Sequence, residues 1–119
     1  RVGKQDLRIV GMHLDLSGLW RKRQVRAILD AVLQRPGKMP TILMGDLNEW
    51  ARHRGCLVEF LHDYRIVFTG PSFHSQRPVA RLDRIIVGED LRILRSGTHN
   101  TAQAKRASDH LPVWAELAF

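Results

Sequence analysis

Asp46 and Asn48 form the first group of side chains whose types and spacing could do chemistry. They lie two residues apart, so both would project to one side of an extended backbone. A carboxylate accepts a proton and an amide donates a hydrogen bond, a combination that can orient a water molecule or a phosphate oxygen. The same two residues could instead form an Asx turn at a strand end, with each side chain bonded to nearby backbone.

Three further residues with titratable side chains could take part in chemistry. They are His13 and the adjacent pair Asp109 and His110. The Asp-His pair offers a metal-binding oxygen beside an imidazole that titrates near neutral pH, and both can face one cleft if the segment is a loop. Taken singly, such a pair is usually a surface feature, and a lone histidine such as His13 is more often a core residue.

Asp83 is expected to share one face of a strand with Ile85 and Val87. A carboxylate on an apolar face is costly unless it has a partner. That partner could be Arg81 or Arg84 in a salt bridge. It could also be a histidine, whose tautomer and charged form the carboxylate would then fix.

Strands are predicted wherever apolar residues alternate or form short runs bounded by turn residues. The predicted strands cover residues 6–16, 41–45, 64–69, 81–87, 91–96 and 111–119. The first is apolar on both faces in its second half, which predicts a central strand covered on two sides. Most of the reactive side chains lie at or next to a predicted strand end, where functional groups gather in α/β folds.

The helices are predicted from apolar residues spaced three and four apart. The clearest stripe runs from Val25 to Leu33, with Ser17 as a capping residue and Pro36-Gly37 as the stop. A weaker helix is predicted over residues 49–63, with its inward side chains at Leu57, Phe60 and Leu61. The segments 70–79 and 97–108 are polar and are predicted to be loops.

The composition is that of one small globular domain. The chain has 119 residues, 44% hydrophobic and 26% charged, which excludes a disordered tail and a low-complexity linker. Its single cysteine, Cys56, excludes an internal disulfide framework and a Cys-rich zinc site. The net charge of +7 favours an anionic partner such as nucleic acid or a phosphorylated molecule. The alternative is that this charge only keeps the protein soluble.

Read in chain order, the reactive segments resemble the motifs of the endonuclease/exonuclease/phosphatase superfamily, which has the deoxyribonuclease I-like fold. The matching segments are His13, Gly45-Asp46-Leu47-Asn48, Arg81-Leu82-Asp83-Arg84-Ile85 and Ser108-Asp109-His110-Leu111-Pro112-Val113, with weaker matches at Arg23-Gln24, Phe73 and Arg77-Pro78. The resemblance implies an α/β (α+β) fold that is part of a four-layer α/β/β/α sandwich. In that sandwich a mixed, largely antiparallel sheet has flanking helices.

The resemblance also implies catalytic roles in metal-dependent phosphodiester or phosphomonoester hydrolysis. Asp46 would activate or position the attacking water, and Asn48 would hold that water or the phosphate. His110, held by Asp83, would stabilise the pentacovalent phosphate or move a proton. His13 would contact a second phosphate oxygen or the leaving group.

A divalent cation, Mg²⁺ or Mn²⁺, is implied as well, with Asp109 contributing to its site. The chain has no match to the family's N-terminal Asn or to the Glu that is its principal metal ligand. We therefore expect residues 1–119 to be the C-terminal portion of one domain whose N-terminal half is absent, with the metal weakly bound or absent. An uncovered sheet face would then favour contact with that missing half or self-association.

Several partners remain open from the sequence. The phosphate-containing substrate could be nucleic acid, a phospholipid head group or a small phosphodiester. A non-catalytic, basic nucleic-acid-binding or interaction module derived from the fold is the alternative, and the basic cluster in residues 21–26 is its main support. No transmembrane or targeting segment is visible, so the compartment is undecided, with the cytoplasm slightly favoured.

Overall fold

The computed structural model describes residues 1–51 and 54–119, and these residues form a mixed α/β arrangement. The strands are β1 Arg8–His13, β2 Thr41–Asp46, β3 Tyr64–Ile66, β4 Asp83–Gly88, β5 Arg92–Thr98 and β6 Val113–Ala118. The helices are α1 Gly18–Leu33 and α2 Ala102–Ala107, and a 3₁₀ segment covers Gly55–Phe60. No helix in the described ranges has the length and apolar character needed to span a membrane.

Four strands form one sheet in the order β1-β2-β4-β3. Strands β1 and β2 are parallel, whereas β2 with β4 and β3 with β4 are antiparallel. Strands β5 and β6 form a second, two-stranded antiparallel sheet. The mixed, largely antiparallel α/β architecture expected from the sequence is therefore confirmed.

One face of the larger sheet carries α1 and the 3₁₀ segment. Val25 of α1 is completely buried against Leu43 of β2 and Ile86 of β4, and Phe60 of the 3₁₀ segment closes the same cluster. The predicted apolar stripe thus faces the sheet, although Leu33 at the end of α1 is exposed. Burial of this stripe, rather than intrinsic helix propensity, supplies most of the stability of α1.

The opposite face of the larger sheet packs against β5 and β6. Ile42 of β2 and Val87 of β4 are buried there, and Val113 and Leu117 of β6 pack against them. Successive side chains of a strand point to opposite faces, so β2 and β4 contribute to both clusters. β2 and β4 are therefore packed on both faces of the sheet, which fixes the positions of their ends.

The position of β1 corrects one expectation. Among the described residues it lies at the edge of the sheet rather than in its centre, and Ile9 on the face away from α1 is exposed. Only the side with Val10 and Met12 packs into a core cluster. A strand that is apolar on both faces predicted two covering layers, but in the described residues the second layer lies over β2 and β4.

Two further expectations, one of a helix and one of a loop, were wrong in part. The helix predicted over residues 49–63 is present only as the 3₁₀ segment, with Leu57 and Phe60 buried but Leu61 exposed; its residues 52 and 53 lie outside the described residues. Gly55, which begins this segment, has a positive φ of 67°, which an α-helix does not accommodate. The loop predicted over residues 97–108 contains α2, which Thr101 caps by accepting a hydrogen bond from the Ala104 N–H.

Candidate active site

Strand register brings three of the predicted residues into one row at an end of the larger sheet. His13 pairs with Asp46 in the parallel β1–β2 ladder, and Asp46 pairs with Asp83 in the antiparallel β2–β4 ladder. Side chains that are opposite one another in paired strands point to the same face. The row therefore presents an imidazole and two carboxylates side by side.

His110 completes the row from the loop before β6. This loop is held by its backbone, since the Leu111 N–H donates to the Ser72 carbonyl at 2.8 Å and Phe73 forms a bridge with His110. The Nδ1 atom of His110 lies 2.6 Å from Asp83 Oδ2, and its Nε2 lies 3.6 Å from Asp46 Oδ2. One imidazole thus touches both carboxylates, with its two nitrogens facing different ones.

Electrostatics favour the charged form of His110. Burial lowers its pKa, but the hydrogen bond with Asp83 and the negative charges of Asp83, Asp46 and Asp109 raise it by more. The net effect is a pKa above the ordinary value for histidine, because the carboxylates stabilise the imidazolium. The Asp83 carboxylate holds a proton on Nδ1, so Nε2, the nitrogen that faces Asp46, is the one that carries a proton in the imidazolium and gives it up when the ring becomes neutral.

His13 approaches the same oxygen from the other side. Its Nε2 lies 3.6 Å from Asp46 Oδ2, and most of its side chain is exposed. Two imidazoles therefore flank one carboxylate oxygen at equal distances. A bound phosphoryl group could accept hydrogen bonds from both histidines while it lies next to Asp46.

The turn after β2 contains both arrangements that the sequence left open. Asp46 Oδ1 accepts a hydrogen bond from the Asn48 N–H at 2.9 Å, as in an Asx turn, while Asp46 Oδ2 faces the two histidines. Asn48 has a positive φ of 49°, and its side-chain amide donates to the Leu14 carbonyl at 2.6 Å. Asn48 therefore ties the end of β1 to the end of β2 and keeps His13 beside Asp46.

The partner of Asp83 is a histidine rather than an arginine. Besides His110, the Asp83 Oδ2 atom accepts a hydrogen bond from Ser72 Oγ at 2.6 Å. Arg81 donates from Nε to the Thr69 carbonyl, and Arg84 donates to the Ala51 carbonyl. The two arginines that sequence reasoning offered as salt-bridge partners are thus engaged elsewhere.

Asp109 lies beside this cluster without joining it. Its side chain is exposed, and its backbone carbonyl accepts the Ser75 N–H at 2.7 Å. Its charge still acts on His110. Among the described residues, the three whose potential metal-binding atoms converge within 4.8 Å are Asp46, Asp83 and His110.

The donor chemistry of this cluster suits a divalent cation through its carboxylates. Mg²⁺ prefers carboxylate oxygens and keeps several waters. Asp83 Oδ2 is already occupied by two short hydrogen bonds, and the His110 Nδ1 atom is occupied by Asp83. Asp46 Oδ2 has only the two histidine contacts at 3.6 Å among the described residues, so it is open to a bound molecule.

Sequence reasoning missed a buried ion pair that holds the segment after Asn48. Glu49 Oε2 lies 3.3 Å from Arg21 Nη2 of α1, and Glu49 Oε1 accepts the Cys56 N–H at 2.8 Å. Arg21 also donates to the carbonyls of Asp15 and Leu16. The one signal in the sequence was the acidic residue directly after the Gly-Asp-x-Asn segment. Its partner in the ion pair, Arg21, lies 28 positions away along the chain and could not be identified.

The aromatic contacts of the site were missed as well. The Phe73 ring lies 5.0 Å from the His110 ring between centroids, and the Trp50 ring lies 5.9 Å from Phe73 in an edge-to-face arrangement.

Cys56 is not a reactive group, because burial and then the charge of Glu49 raise its pKa to about 11.

The basic cluster of α1 is partly neutralised, which weakens the expectation of a nucleic-acid-binding helix face. Arg21 is buried in its pair with Glu49, and Arg26 lies 3.1 Å from Glu59. Arg23 stacks over Trp20 at 5.1 Å from the ring centroid. All three arginines of this cluster thus make contacts within the protein.

A sequence model of the endonuclease/exonuclease/phosphatase family matches residues 8–110 of the chain. Among curated proteins, the uncharacterized protein YbhP of Escherichia coli (strain K12) is 27% identical over 121 residues, which cover 93% of this chain and 46% of YbhP. The chain therefore spans about half the length of the curated relatives it matches.

Solved structures show the same fold. A conserved protein of unknown function from Enterococcus faecalis V583 superposes with a TM-score of 0.78 at 24% identity, covering 92% of this chain and 49% of that one. A mannosyl-6-phosphatase from Bacteroides thetaiotaomicron VPI-5482 superposes with a TM-score of 0.74 at 21% identity, covering 93% and 51%. D. rerio TDP2, complexed with a single-strand DNA product, superposes with a TM-score of 0.74 at 17% identity, covering 98% and 58%.

Proposed function

Since the chain belongs to the endonuclease/exonuclease/phosphatase family, we propose that the protein hydrolyses a phosphoester at the cluster formed by His13, Asp46, Asp83 and His110. The observation that carries this proposal is the His110 imidazole, with Asp83 at 2.6 Å from Nδ1 and Asp46 at 3.6 Å from Nε2. The protonated His110 imidazole, which is a hydrogen-bond donor, therefore lies beside the Asp46 carboxylate. A phosphoryl group can approach both groups at this point.

In the proposed reaction, Asp46 orients the attacking water and accepts its proton through Oδ2. The water oxygen forms a bond to phosphorus while the bond to the leaving oxygen breaks. His110 holds a proton on Nε2, which it donates to a phosphoryl oxygen or to the leaving oxygen. Asp83 is a positioning residue, because it acts by fixing the His110 ring and its charge.

His13 and Asn48 complete the proposed site in different ways. His13 is exposed beside Asp46, so it is a contact for a second phosphoryl oxygen. Asn48 acts through the backbone, because its amide is bonded to the Leu14 carbonyl and so sets the distance between His13 and Asp46.

We further propose that Asp109 contributes a carboxylate oxygen to the site of a divalent cation, Mg²⁺ or Mn²⁺. When bound, such a cation would neutralise charge on the phosphoryl oxygens. One carboxylate is too few for Mg²⁺. The proposal therefore includes further ligands from outside residues 1–119, as the longer curated relatives would allow.

The test is hydrolysis of bis(p-nitrophenyl) phosphate by the full-length protein with Mg²⁺ or Mn²⁺. Asp46→Asn and His110→Gln should each abolish most of the turnover. The matched control is His62→Ala, since the His62 side chain is 92% exposed and lies outside the cluster. Unchanged turnover in both site variants would remove the proposed function.

The substrate class follows from a comparison of probes in the same assay. A phosphomonoester, p-nitrophenyl phosphate, and a single-stranded oligonucleotide are compared with the diester. The variant His13→Ala should raise KM for the preferred probe more than it lowers kcat, because His13 is proposed to bind a phosphoryl oxygen rather than to transfer a proton.

A further inference from the structure

An open cavity of about 500 Å³ lies beside β3, away from the His110 cluster. Its described lining includes the apolar side chains Leu61, Ile66 and Phe68 and three arginines, Arg65, Arg81 and Arg84. The Arg65 guanidinium donates to the Leu91 carbonyl. None of the proposed catalytic residues lines it. A volume of this size falls within the range of small-molecule sites, which combine apolar walls with a few polar groups.

Arg84 is a buried cation without an acidic partner among the described residues. It is 6% exposed, and no carboxylate of those residues lies within 4.0 Å of it. It donates to the Ala51 carbonyl at 3.3 Å, but its Nε–H has no acceptor in the described part of the chain. Burying a charge is costly unless the charge is paired, so Arg84 differs from Arg21, which has Glu49.

Arg81 brings a second positive charge to the same cavity. Its guanidinium lies over the Phe68 ring at 5.6 Å from the centroid, and Phe68 is exposed. Burial lowers the pKa of Arg84, and the charge of Arg81 lowers it further, against weaker opposing effects of Cys56 and Glu49. Arg81 and Arg84 are therefore two like charges in one cavity wall that repel each other.

We propose that this cavity binds a phosphate monoester dianion that carries a short apolar group. Two guanidinium groups match the charge of the dianion, and their planar donors suit its oxygens. Leu61 and Phe68, both exposed at the wall, take the apolar group. Binding removes the repulsion between Arg81 and Arg84 and supplies the counter-ion that Arg84 lacks.

The site is distinct from the proposed catalytic cluster by strand geometry. Asp83 and Arg84 are successive residues of β4, so their side chains point to opposite faces of the sheet. Arg84 shares its face with Ile86, which packs in the cluster under α1. A ligand in the cavity therefore lies on the other face of β4 from Asp83 and does not occupy the proposed catalytic cluster.

The experiment uses the full-length protein with the His110→Ala substitution, which removes the proposed phosphate contact of the active site. Hexyl phosphate and inorganic phosphate are titrated by calorimetry at constant ionic strength and without divalent cations. Hexyl phosphate should saturate one site and bind more tightly than inorganic phosphate. The Nε–Hε NMR signals of Arg81 and Arg84 should shift in the same titration.

Arg81→Gln is the decisive variant, because Arg81 is only half-buried and its replacement leaves the buried core intact. It should weaken hexyl phosphate binding about tenfold or more, as expected for loss of a charged hydrogen bond. Arg92→Gln, at an exposed arginine of β5, is the matched control and should leave binding unchanged. The proposal is overturned by absence of saturable binding, by binding that Arg81→Gln does not alter, or by equal affinity for the two phosphates.

Discussion

The pairs Arg21–Glu49 and His110–Asp83 both join a cation to a carboxylate beside the turn after β2, but they differ in burial. Arg21 and Glu49 have side chains that are 11% and 7% exposed. His110 and Asp83 are 25% and 19% exposed, and each has further polar neighbours at the rim of the site. The first pair lies under the turn, whereas the second lies at its open edge.

The difference in burial distinguishes the Arg21–Glu49 pair, which has a structural role, from the His110–Asp83 pair, which we call the chemical pair because it can take part in proton transfer. Both side chains of the buried pair are bonded to backbone, since Glu49 accepts the Cys56 N–H and Arg21 donates to the Leu16 carbonyl, so this pair fixes the local fold. Histidine changes charge near neutrality, so the more open pair can exchange a proton with a bound molecule. Substitutions in each pair, measured for both turnover and the free energy of unfolding, test this distinction.

The largest effect is expected for turnover in the chemical pair. His110→Ala should lower kcat roughly 10²- to 10⁴-fold, the usual contribution of a positioned acid or base, with little change in the free energy of unfolding. Steady-state kinetics and thermal unfolding of the same sample measure both quantities. A loss of stability that parallels the loss of kcat would assign His110 a structural role instead.

The next largest effect is expected for stability in the buried pair. Glu49→Ala leaves Arg21 buried without its acid, which should cost about 3 to 5 kcal/mol of unfolding free energy. The matched control is Glu59→Ala, whose partner Arg26 is exposed, so the loss there should be about 0 to 1 kcal/mol. Urea unfolding of the two variants compares them, and equal losses would contradict the importance of burial.

A smaller effect is expected at Gly55, which makes room for the Glu49 carboxylate. Gly55 has a φ of +67°, and a Cβ atom there would lie 1.7 Å from Glu49 Oε1. Gly3 has a similar φ of +60° but nothing within 4 Å of its Cβ position. Gly3→Ala should therefore cost only the backbone strain of about 1 to 2 kcal/mol, and Gly55→Ala should cost more because the ion pair must move. The difference in urea midpoints between the two variants measures the clash.

The smallest effect is a shift in pH dependence. The folded-state pKa of His110 is raised, so its charge contributes stability below the unfolded value, and that contribution is lost as the pH rises through the folded pKa. Asp83→Asn removes the hydrogen-bonded charge and should lower the pKa of His110. NMR titration of the imidazole in metal-free protein measures this shift, and an unchanged midpoint would exclude Asp83 as the cause.

Much of the architecture could be predicted from local pattern. Strands β2, β4 and β6 lie within one or two residues of the predicted ranges, because their apolar runs end at polar or turn residues. The predictions failed where neighbours decide the conformation. β1 is apolar on both faces but lies at a sheet edge, and the segment after Glu49 is held by hydrogen bonds to that carboxylate rather than by helix periodicity.

The candidate site divides in the same way. The resemblance of the motifs and their chain order to those of the family pointed to His13, Asp46, Asn48, Asp83 and His110, whereas each motif taken singly left a structural role open. Ser72, Phe73 and Arg21 were not identifiable as their supports, because a serine, a phenylalanine or one of many arginines carries no local signal of its contacts. The partner of Asp83 was likewise open between arginine and histidine.

The sequence by itself determined the family, the mixed α/β composition and the reactive groups, because these depend on residue type and local order. Only the tertiary structure decided which nitrogen of His110 meets which carboxylate, which arginine is paired with Glu49, and which buried arginine has no acidic partner among residues 1–51 and 54–119. These outcomes depend on strand register and on burial, and both arise from contacts between residues far apart in the chain.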